Sequence, residues 1–251
     1  MFKKAGSLWV VRFFCFKQMS LEIFYISLMK KIALFISLTT FALTQAQTIK
    51  VAPYLQDASP NSIYILWETN IGDESTVLWG LTDALGNTTS GTASPSLGSA
   101  RIHEVKLENL QPFTVYYYQV KTDTAFSDIY QFKTPPLATA EESFQLIAMS
   151  DMQRDIFQPN KFDEIIHDGI LDYLTDEFSG EPFHDLALVM IPGDLVVTGT
   201  NYTEWESYFF DPGADLFSQV PVYPVLGNHE LNSTYYFPVS YTHLRAHETR
   251  R

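Results

Sequence analysis

The stretches LALVMIPGDLVVTGTN, residues 186–201, and VPVYPVLGNHE, residues 220–230, decide the fold. Each is an apolar run that stops at a glycine followed by polar residues. A third run, FQLIAMS at residues 144–150, stops in a similar way at Asp151. Continuous apolar runs separated by helical patterns are typical of strands in a sheet that is covered on both faces. The three runs therefore predict an α/β domain.

Polar side chains follow directly on the three predicted strands. In open α/β sheets, ligands bind beyond the carboxyl ends of the strands. Oxygen and imidazole ligands without a thiolate suit hard or borderline divalent metals. The sequence therefore predicts a metal site at this edge of the sheet, with five candidate residues: Asp151, Gln153, Asp194, Asn228 and His229.

The order D-x-Q, then GDLV-x-x-G, then GNHE resembles the calcineurin-like metallophosphoesterase superfamily, which includes the purple acid phosphatases. The resemblance implies an αββα sandwich and a two-metal hydrolase of phosphate esters. It implies that Asp151 binds the first metal, that Asp194 bridges both metals, and that Asn228 binds the second. His229 is then the catalytic residue that faces the substrate. The implied cofactors are two divalent or iron-type ions, drawn from Fe, Zn, Mn and Mg.

Two positions depart from the family pattern. Gln153 stands where the family more often has His, and its carbonyl oxygen is a weaker metal ligand than an imidazole. Val197 stands three residues after Asp194, where the purple enzymes carry an iron-ligating Tyr. We therefore expect no tyrosinate–iron colour. For Glu230 two roles remain open, either orienting His229 or serving as a carboxylate at a helix start.

Composition narrows the function classes. The chain has 251 residues, 46% of them hydrophobic, which is typical of a globular protein. Its formal net charge of −13 argues against a stable nucleic-acid partner, since such a partner requires a basic face. The single cysteine, Cys15, excludes a disulfide framework and a thiolate zinc site.

The N-terminal residues predict export. Residues 1–28 have no domain-like pattern and are interpreted as a non-native leader. Residues 29–46 have two lysines, a short apolar core and small residues before Ala46, as in a signal peptide. The apolar run is short for a spanning helix, so we expect no membrane span in the mature chain. The predicted location is the periplasm, the cell surface or the medium.

Residues 47–136 predict an all-β sandwich. Short alternating runs separated by turn residues are typical of strands near residues 62–67, 75–79, 103–107 and 115–120. LQPFTVY, residues 110–116, has the form of a tyrosine corner and resembles a fibronectin type III domain, as found before the catalytic domain in purple-acid-phosphatase-like proteins. Trp67 and Tyr116 are predicted core residues, and His103 is predicted to be an exposed strand residue.

Residues 137–142 are interpreted as a linker and residues 143–237 as the N-terminal half of the phosphoesterase domain. Apolar residues at helical spacing predict a helix that starts after Asn160. The stretch YTEWESYFF predicts a second, short helix. Arg154 is open to two interpretations, namely a contact with substrate phosphate or a surface ion pair with Asp155 or a nearby carboxylate.

The last residues, 238–251, resemble a translated sequencing adapter, and we interpret them as an artefact that begins after Phe237. We therefore reject His243 and His247 as an H-x-x-x-H metal helix. The family's remaining ligands, a lone downstream His and a G-H-x-H motif, are missing from the sequence as given.

The sequence thus predicts an exported, acid-phosphatase-like phosphoesterase that is inactive as this fragment. The alternative is a non-catalytic secreted or cell-surface binding protein with a degenerate phosphatase domain, for which Gln153 is the best argument. A nuclease or nucleotide pyrophosphatase on the same site is a third interpretation. The oligomeric state, the metal pair and the natural phosphate ester are left open.

Overall fold

The computed structural model describes residues 24–31, 46–177 and 183–236. Residues 24–31 are helical and exposed and lie in a separate unit, Met1–Ala46, while Gln47–Arg251 forms one compact unit. Most of the predicted leader and signal peptide, Cys15, and the tail from Phe237 lie outside the described residues. Within the described ranges, no helix combines the length and apolarity of a membrane span.

Nine strands fold into two antiparallel sheets in the N-terminal part. The first sheet has the order β1-β2-β6-β5 and contains β1 (Ile49–Ser59), β2 (Ser62–Thr69), β5 (Thr92–Pro95) and β6 (Arg101–Glu108). The second sheet has the order β4-β3-β7-β8, with β9 also paired to β7. Its strands are β3 (Thr76–Gly80), β4 (Asn87–Ser90), β7 (Val115–Thr122), β8 (Ala125–Phe126) and β9 (Tyr130–Lys133).

The two sheets share one hydrophobic core, which confirms the predicted all-β sandwich. Trp67 of the first sheet and Tyr116 of the second both lie in that core, as predicted. The backbone N–H of Gln111 donates to the Tyr116 hydroxyl at 2.9 Å. This bond from the chain upstream is the one that a tyrosine corner makes.

His103 corrects the prediction of an exposed strand residue. Its exposed fraction is 0%, and its ring stacks on Trp67 with centroids 4.8 Å apart. The hydroxyls of Thr69 and Ser75 each lie 2.8 Å from one ring nitrogen. Burial lowers the pKa of His103 to about 4, so the ring is neutral near pH 7. The strand β6 was predicted correctly. Which of its two faces is buried depends on residues of β2 and on Ser75, which lie far from His103 in the sequence.

A parallel sheet with the order β10-β11-β12 forms the second domain. Its strands are β10 (Gln145–Ala148), β11 (Leu186–Pro192) and β12 (Val222–Val225). A first helix runs through α1 (Lys161–Glu164), a π-helical segment (Ile165–Leu171) and α2 (Asp172–Glu177). A second helix runs through α3 (Tyr202–Glu204), a π-helical segment (Trp205–Phe210) and α4 (Asp211–Phe217), and so extends beyond the predicted YTEWESYFF stretch.

The parallel sheet has one covered face and one open face in the described residues. Val189 and Ile191 are fully buried against helix residues such as Phe162 and Phe209. On the opposite face, Leu146, Met190 and Val225 are 48%, 45% and 53% exposed. In the expected αββα sandwich, a second sheet packs against this open face. The described residues form one of the two sheets of that architecture, together with the helices that cover it.

The first sheet of the sandwich packs its outer face against the second domain. Tyr54 and Leu66 of this face belong to the same hydrophobic cluster as Trp205 and Leu216 of the second helix. The rings of Tyr54 and Phe210 lie 4.8 Å apart. The first sheet is therefore apolar on both faces, and the two domains share a continuous core.

Glu68 lies within this shared core and is almost fully buried. The Tyr202 hydroxyl donates to its carboxylate, and Lys50 forms ion pairs with both Glu68 and Glu206. Burial raises the pKa of Glu68 from 4.5 to about 7, against the opposing effect of Lys50.

We expect Glu68→Gln to flatten the pH dependence of stability. Between pH 4.5 and about 7 the folded state keeps a proton that the unfolded state has released, so the stability contributed by Glu68 is lost as the pH rises through this window. The variant lacks this titration and is expected to melt at a higher temperature than wild type above pH 7. Thermal unfolding from about pH 4 to 8 measures this, with the exposed Glu108→Gln as control. Equal slopes for Glu68→Gln and wild type would contradict the assignment.

Candidate metal centre

Three loops meet at the carboxyl ends of the parallel strands. The loop after β10 carries Asp151 and Gln153, the loop after β11 carries Asp194, and the loop after β12 carries residues 227–230. The Asp151 N–H donates to the Gly193 carbonyl at 3.4 Å, and the Gln153 N–H donates to the Asp194 carbonyl at 3.0 Å. The first two loops therefore run side by side beyond the sheet.

Sharp left-handed turns end two of the strands. Asp151 and Asp194 have φ values of 59° and 55°, a region that Asp tolerates better than most residues. Glycines allow the loops to approach closely, because a Cβ on Gly227 would stand 2.2 Å from Asp194 Oδ1. Gly193, with φ of 101°, would place a Cβ 2.9 Å from the Gly227 Cα. Gly193 and Gly227 are therefore required by this geometry.

The Glu230 carboxylate joins the loops after β11 and β12. Its exposed fraction is 0%, and its oxygens accept backbone N–H groups from both loops. Oε2 accepts from Asp194 at 3.0 Å and from Gly227 at 2.6 Å. Oε1 accepts from Leu195 at 2.7 Å and from Val196 at 3.1 Å. Glu230 thus fixes the backbone around Asp194, a role that neither of the two sequence interpretations had assigned to it.

His229 is held by two contacts in this loop pair. Its backbone N–H donates to Asp194 Oδ1 at 3.1 Å, and its Nδ1 lies 2.8 Å from the Val197 carbonyl oxygen. Because a carbonyl only accepts, Nδ1 carries the proton in this contact. Nε2 is then the ring atom that is able to accept or deliver a proton. Val197 therefore contributes through its backbone, at the position where the purple enzymes use a side chain.

Gln153 has an unsatisfied oxygen. Its Oε1 is buried and accepts no hydrogen bond within the described part of the chain. A buried carbonyl oxygen without a partner is costly unless a bound group satisfies it. A hard divalent cation is one such group, so this atom fits the predicted role as a metal ligand.

The remaining donors fit the metal in part. Asp151 accepts from the Ser150 hydroxyl at 2.5 Å, and Asn228 lies in the loop after β12. Among the described residues, no group of three or more His, Cys, Asp or Glu side chains is placed to hold a metal ion. The set consists instead of two carboxylates and two amide oxygens, a donor chemistry that suits a hard cation. Asp151, Gln153 and Asp194 would hold one ion, and Asp194 with Asn228 would contribute to a second.

Of the two interpretations of Arg154, the contact with substrate phosphate stays a prediction, whereas the ion pair with a carboxylate is absent within the described residues. Arg154 forms no ion pair with Asp155, whose Oδ1 accepts the Phe157 N–H at 2.7 Å. Its Nη1 instead donates to the Tyr208 hydroxyl at 2.5 Å.

Together these elements define a two-domain chain in which a β-sandwich precedes an α/β domain with candidate metal ligands at its strand ends. Residues 49–134 match the family model of the purple acid phosphatase N-terminal domain. Residues 126–250 match the family model of the calcineurin-like phosphoesterases. The chain therefore carries a purple acid phosphatase N-terminal domain followed by a calcineurin-like phosphoesterase domain, as the sequence motifs predicted. This family implies divalent metal ions as cofactors.

Several solved structures are similar to the chain, while no curated protein matches it. A structure of PhoD is 14% identical with a TM-score of 0.49, and the match covers 73% of this chain and 40% of PhoD. The sensor domain of the anti-sigma factor RsgI4 from Pseudobacteroides cellulosolvens is 16% identical with a TM-score of 0.31, covering 39% of this chain and 99% of that domain. The FN5 domain of Drosophila Lar is 21% identical with a TM-score of 0.26, and the match covers 35% of this chain and 95% of that domain.

We expect Glu230→Gln to loosen both loops. A glutamine keeps one acceptor oxygen but turns an NH₂ group toward backbone N–H donors, leaving buried donors unpaired at about 1–3 kcal/mol each. The free energy of unfolding of the variant should be at least ~2 kcal/mol lower than that of wild type. Its Leu195 and Val196 amides should exchange with solvent faster than in wild type. Denaturant unfolding and hydrogen exchange measure the two effects, with the exposed Glu108→Gln as control. Unchanged protection of these amides would refute the role of Glu230.

Proposed function

We propose that this chain is part of an exported, metal-dependent phosphoesterase that hydrolyses phosphate esters at a two-metal site, with acid-phosphatase-like activity. Asp151, Gln153, Asp194 and Asn228 are the proposed metal ligands and His229 the proposed catalytic residue. The proposed export signal lies at Met29–Ala46. The chain spans 40% of the PhoD structure that it matches, so this activity is proposed for the protein of a longer reading frame.

The single observation that carries the proposal is the buried, unpartnered Gln153 Oε1 beside Asp194. Its backbone N–H is bonded to the Asp194 carbonyl, so the two side chains leave the same edge of the sheet. The Glu230 bonds add rigidity to the Asp194 backbone. A ligand set held by the backbone in this way is suited to bind a metal without a large ordering cost.

The chain's own residues would then act as follows. Bound metal ions supply Lewis-acid polarisation of the phosphoryl oxygen and a nucleophilic water at neutral pH. Asp194 Oδ1 is oriented by the His229 N–H, and the lone pairs of the carboxylate that this bond does not use would be available to metal ions. His229 holds its Nδ1 proton on the Val197 carbonyl, so a second proton would reside on Nε2, and it is this N–H of the imidazolium that would protonate the leaving oxygen or stabilise its charge.

Metal binding by the 251-residue chain provides a direct test. We expect Mn²⁺ to bind with 1:1 or higher stoichiometry, and Gln153→Leu to weaken the binding at least ~tenfold because an oxygen ligand is lost. Gln153→His should tighten the binding, since it restores the ligand that the family more often has. Electron paramagnetic resonance of free Mn²⁺ measures both. Gln111→His, a surface change in the β-sandwich, is the control for added imidazole. Equal affinities for wild type and Gln153→Leu would remove Gln153 from the ligand set.

Hydrolysis is tested in the protein expressed from the complete reading frame. We expect aryl phosphate hydrolysis that a chelator abolishes and divalent ions restore. Asp194→Asn should lower kcat at least ~1000-fold, because it removes the bridging charge but keeps an oxygen that accepts the His229 N–H. Circular dichroism and thermal unfolding control for the fold. If the well-folded protein hydrolyses no ester with any divalent metal, the non-catalytic binding protein becomes the preferred interpretation.

A further inference from the structure

A cleft of about 420 Å³ opens beside the loop that carries the candidate metal ligands. Met152 and Arg154, which flank Gln153 in the sequence, both line it. Buried Met152 and Phe162 give the cleft an apolar floor. The other walls come from the beginning of the first helix and the middle of the second. The cleft is therefore lined by the two residues that are adjacent in the sequence to the proposed metal ligand Gln153.

Arg154 is a preorganised cation on the rim of this cleft. Its Nη1 donates to the Tyr208 hydroxyl at 2.5 Å, and its Cζ lies 4.7 Å from the centre of the Tyr208 ring. No carboxylate within the described ranges forms a salt bridge with it. A guanidinium has five N–H donors in a fixed plane, and this contact uses one. In a chain with a formal net charge of −13, an uncompensated guanidinium next to the metal loop favours an anionic ligand.

Two carboxylates on the same rim limit the charge that the ligand can carry. Asp163 and Asp211 both line the cleft. Asp163 has His167 as a neighbour at 3.3 Å, whereas Asp211 has no salt-bridge partner within the described residues. Like charges at close range are unfavourable. The cleft therefore suits one phosphate group next to Arg154 and opposes a second anionic group beside Asp163 or Asp211.

We propose that Arg154, held by Tyr208, is a positioning residue that binds the phosphoryl oxygens of a monophosphate ester, and that the cleft receives the uncharged or cationic organic part of that ester. This inference rests on the proposed phosphoesterase function and narrows its substrate class. Esters with a single phosphate are favoured over pyrophosphates and nucleoside polyphosphates, which would place additional negative charge beside Asp163 and Asp211.

The first experiment measures binding and not turnover. Ethylphosphonate has a carbon–phosphorus bond that phosphoesterases do not hydrolyse, and its affinity for the Mn²⁺-loaded 251-residue chain is measured by calorimetry. We expect Arg154→Gln to weaken the affinity about tenfold and Arg154→Lys to weaken it less, since a point charge replaces the planar fork. Tyr208→Phe keeps the ring under the guanidinium but removes the hydroxyl, so an intermediate loss is expected. Arg101→Gln is the matched control, because it removes the same charge from β6 at a site paired with Asp73.

The second experiment tests the charge limit. Asp211→Asn is expected to bring the affinity for pyrophosphate several-fold closer to that for ethylphosphonate, because a repulsive charge is removed. Asp215→Asn is the matched control, since it makes the same charge change on the same helix outside the cleft. If the two variants change pyrophosphate affinity equally, the effect is only long-range and the substrate-class inference is overturned.

The outcomes separate this inference from the function on which it rests. In the protein of the complete reading frame, Arg154→Gln should raise KM about tenfold for ethyl phosphate with little change in kcat, a pattern that general destabilisation does not produce. If Asp194→Asn abolishes hydrolysis but Arg154→Gln changes neither KM nor phosphonate affinity, the inference fails and the function stands. If no ester is hydrolysed but Arg154→Gln still loses phosphonate binding, the function fails and the anion site stands.

Discussion

The buried carboxylate of Glu230 is the constraint on which the candidate site depends. It lies one residue after His229 and accepts the backbone N–H groups of Asp194, of the two residues that follow Asp194, and of Gly227. Parallel strands bring their ends to one edge of a sheet, but strand pairing alone leaves the following loops free to diverge. Four charge-assisted hydrogen bonds to a group without solvent access remove that freedom. The fixed position of Asp194 follows, and with it the position of the His229 backbone.

Local patterns in the sequence predicted the elements that depend on neighbours in the chain. The apolar runs that end at Asp151, Asp194 and Asn228 became parallel strands, because hydrophobicity over four to seven residues is itself the signal. The tyrosine corner at Tyr116 was predictable for the same reason, since its partner Gln111 lies five residues away. The placement of candidate ligands at one edge follows from strand direction alone.

Long-range pairings account for what the sequence did not predict. His103 is buried because Trp67, Thr69 and Ser75 surround it, and they lie 28 to 36 positions earlier in the chain. Glu68 sits on the outer face of β2 and is buried there because the second helix packs against this face. Tyr64 and Leu66 mark the same face as apolar, but no local pattern predicts that a carboxylate is buried beside them. The hydrogen bonds of Glu230 to the loop after β11 could not be predicted either. Their donors are backbone N–H groups 34 to 36 positions earlier in the chain, and a backbone donor leaves no signal in the sequence.

The core shared by the sandwich and the α/β domain has a consequence for how this protein can be divided. Tyr118 of β7 donates its hydroxyl to the Ser218 carbonyl at 2.7 Å, and the Ala58 N–H donates to the Tyr223 hydroxyl at 3.0 Å, so polar bonds reinforce the apolar contacts across the boundary. Cutting the chain at the linker would separate Phe210 from Tyr54 and expose apolar surface on each half. The sandwich is therefore a structural half of the scaffold that carries the candidate site, and any other module in its place would have to match the same face of the second helix.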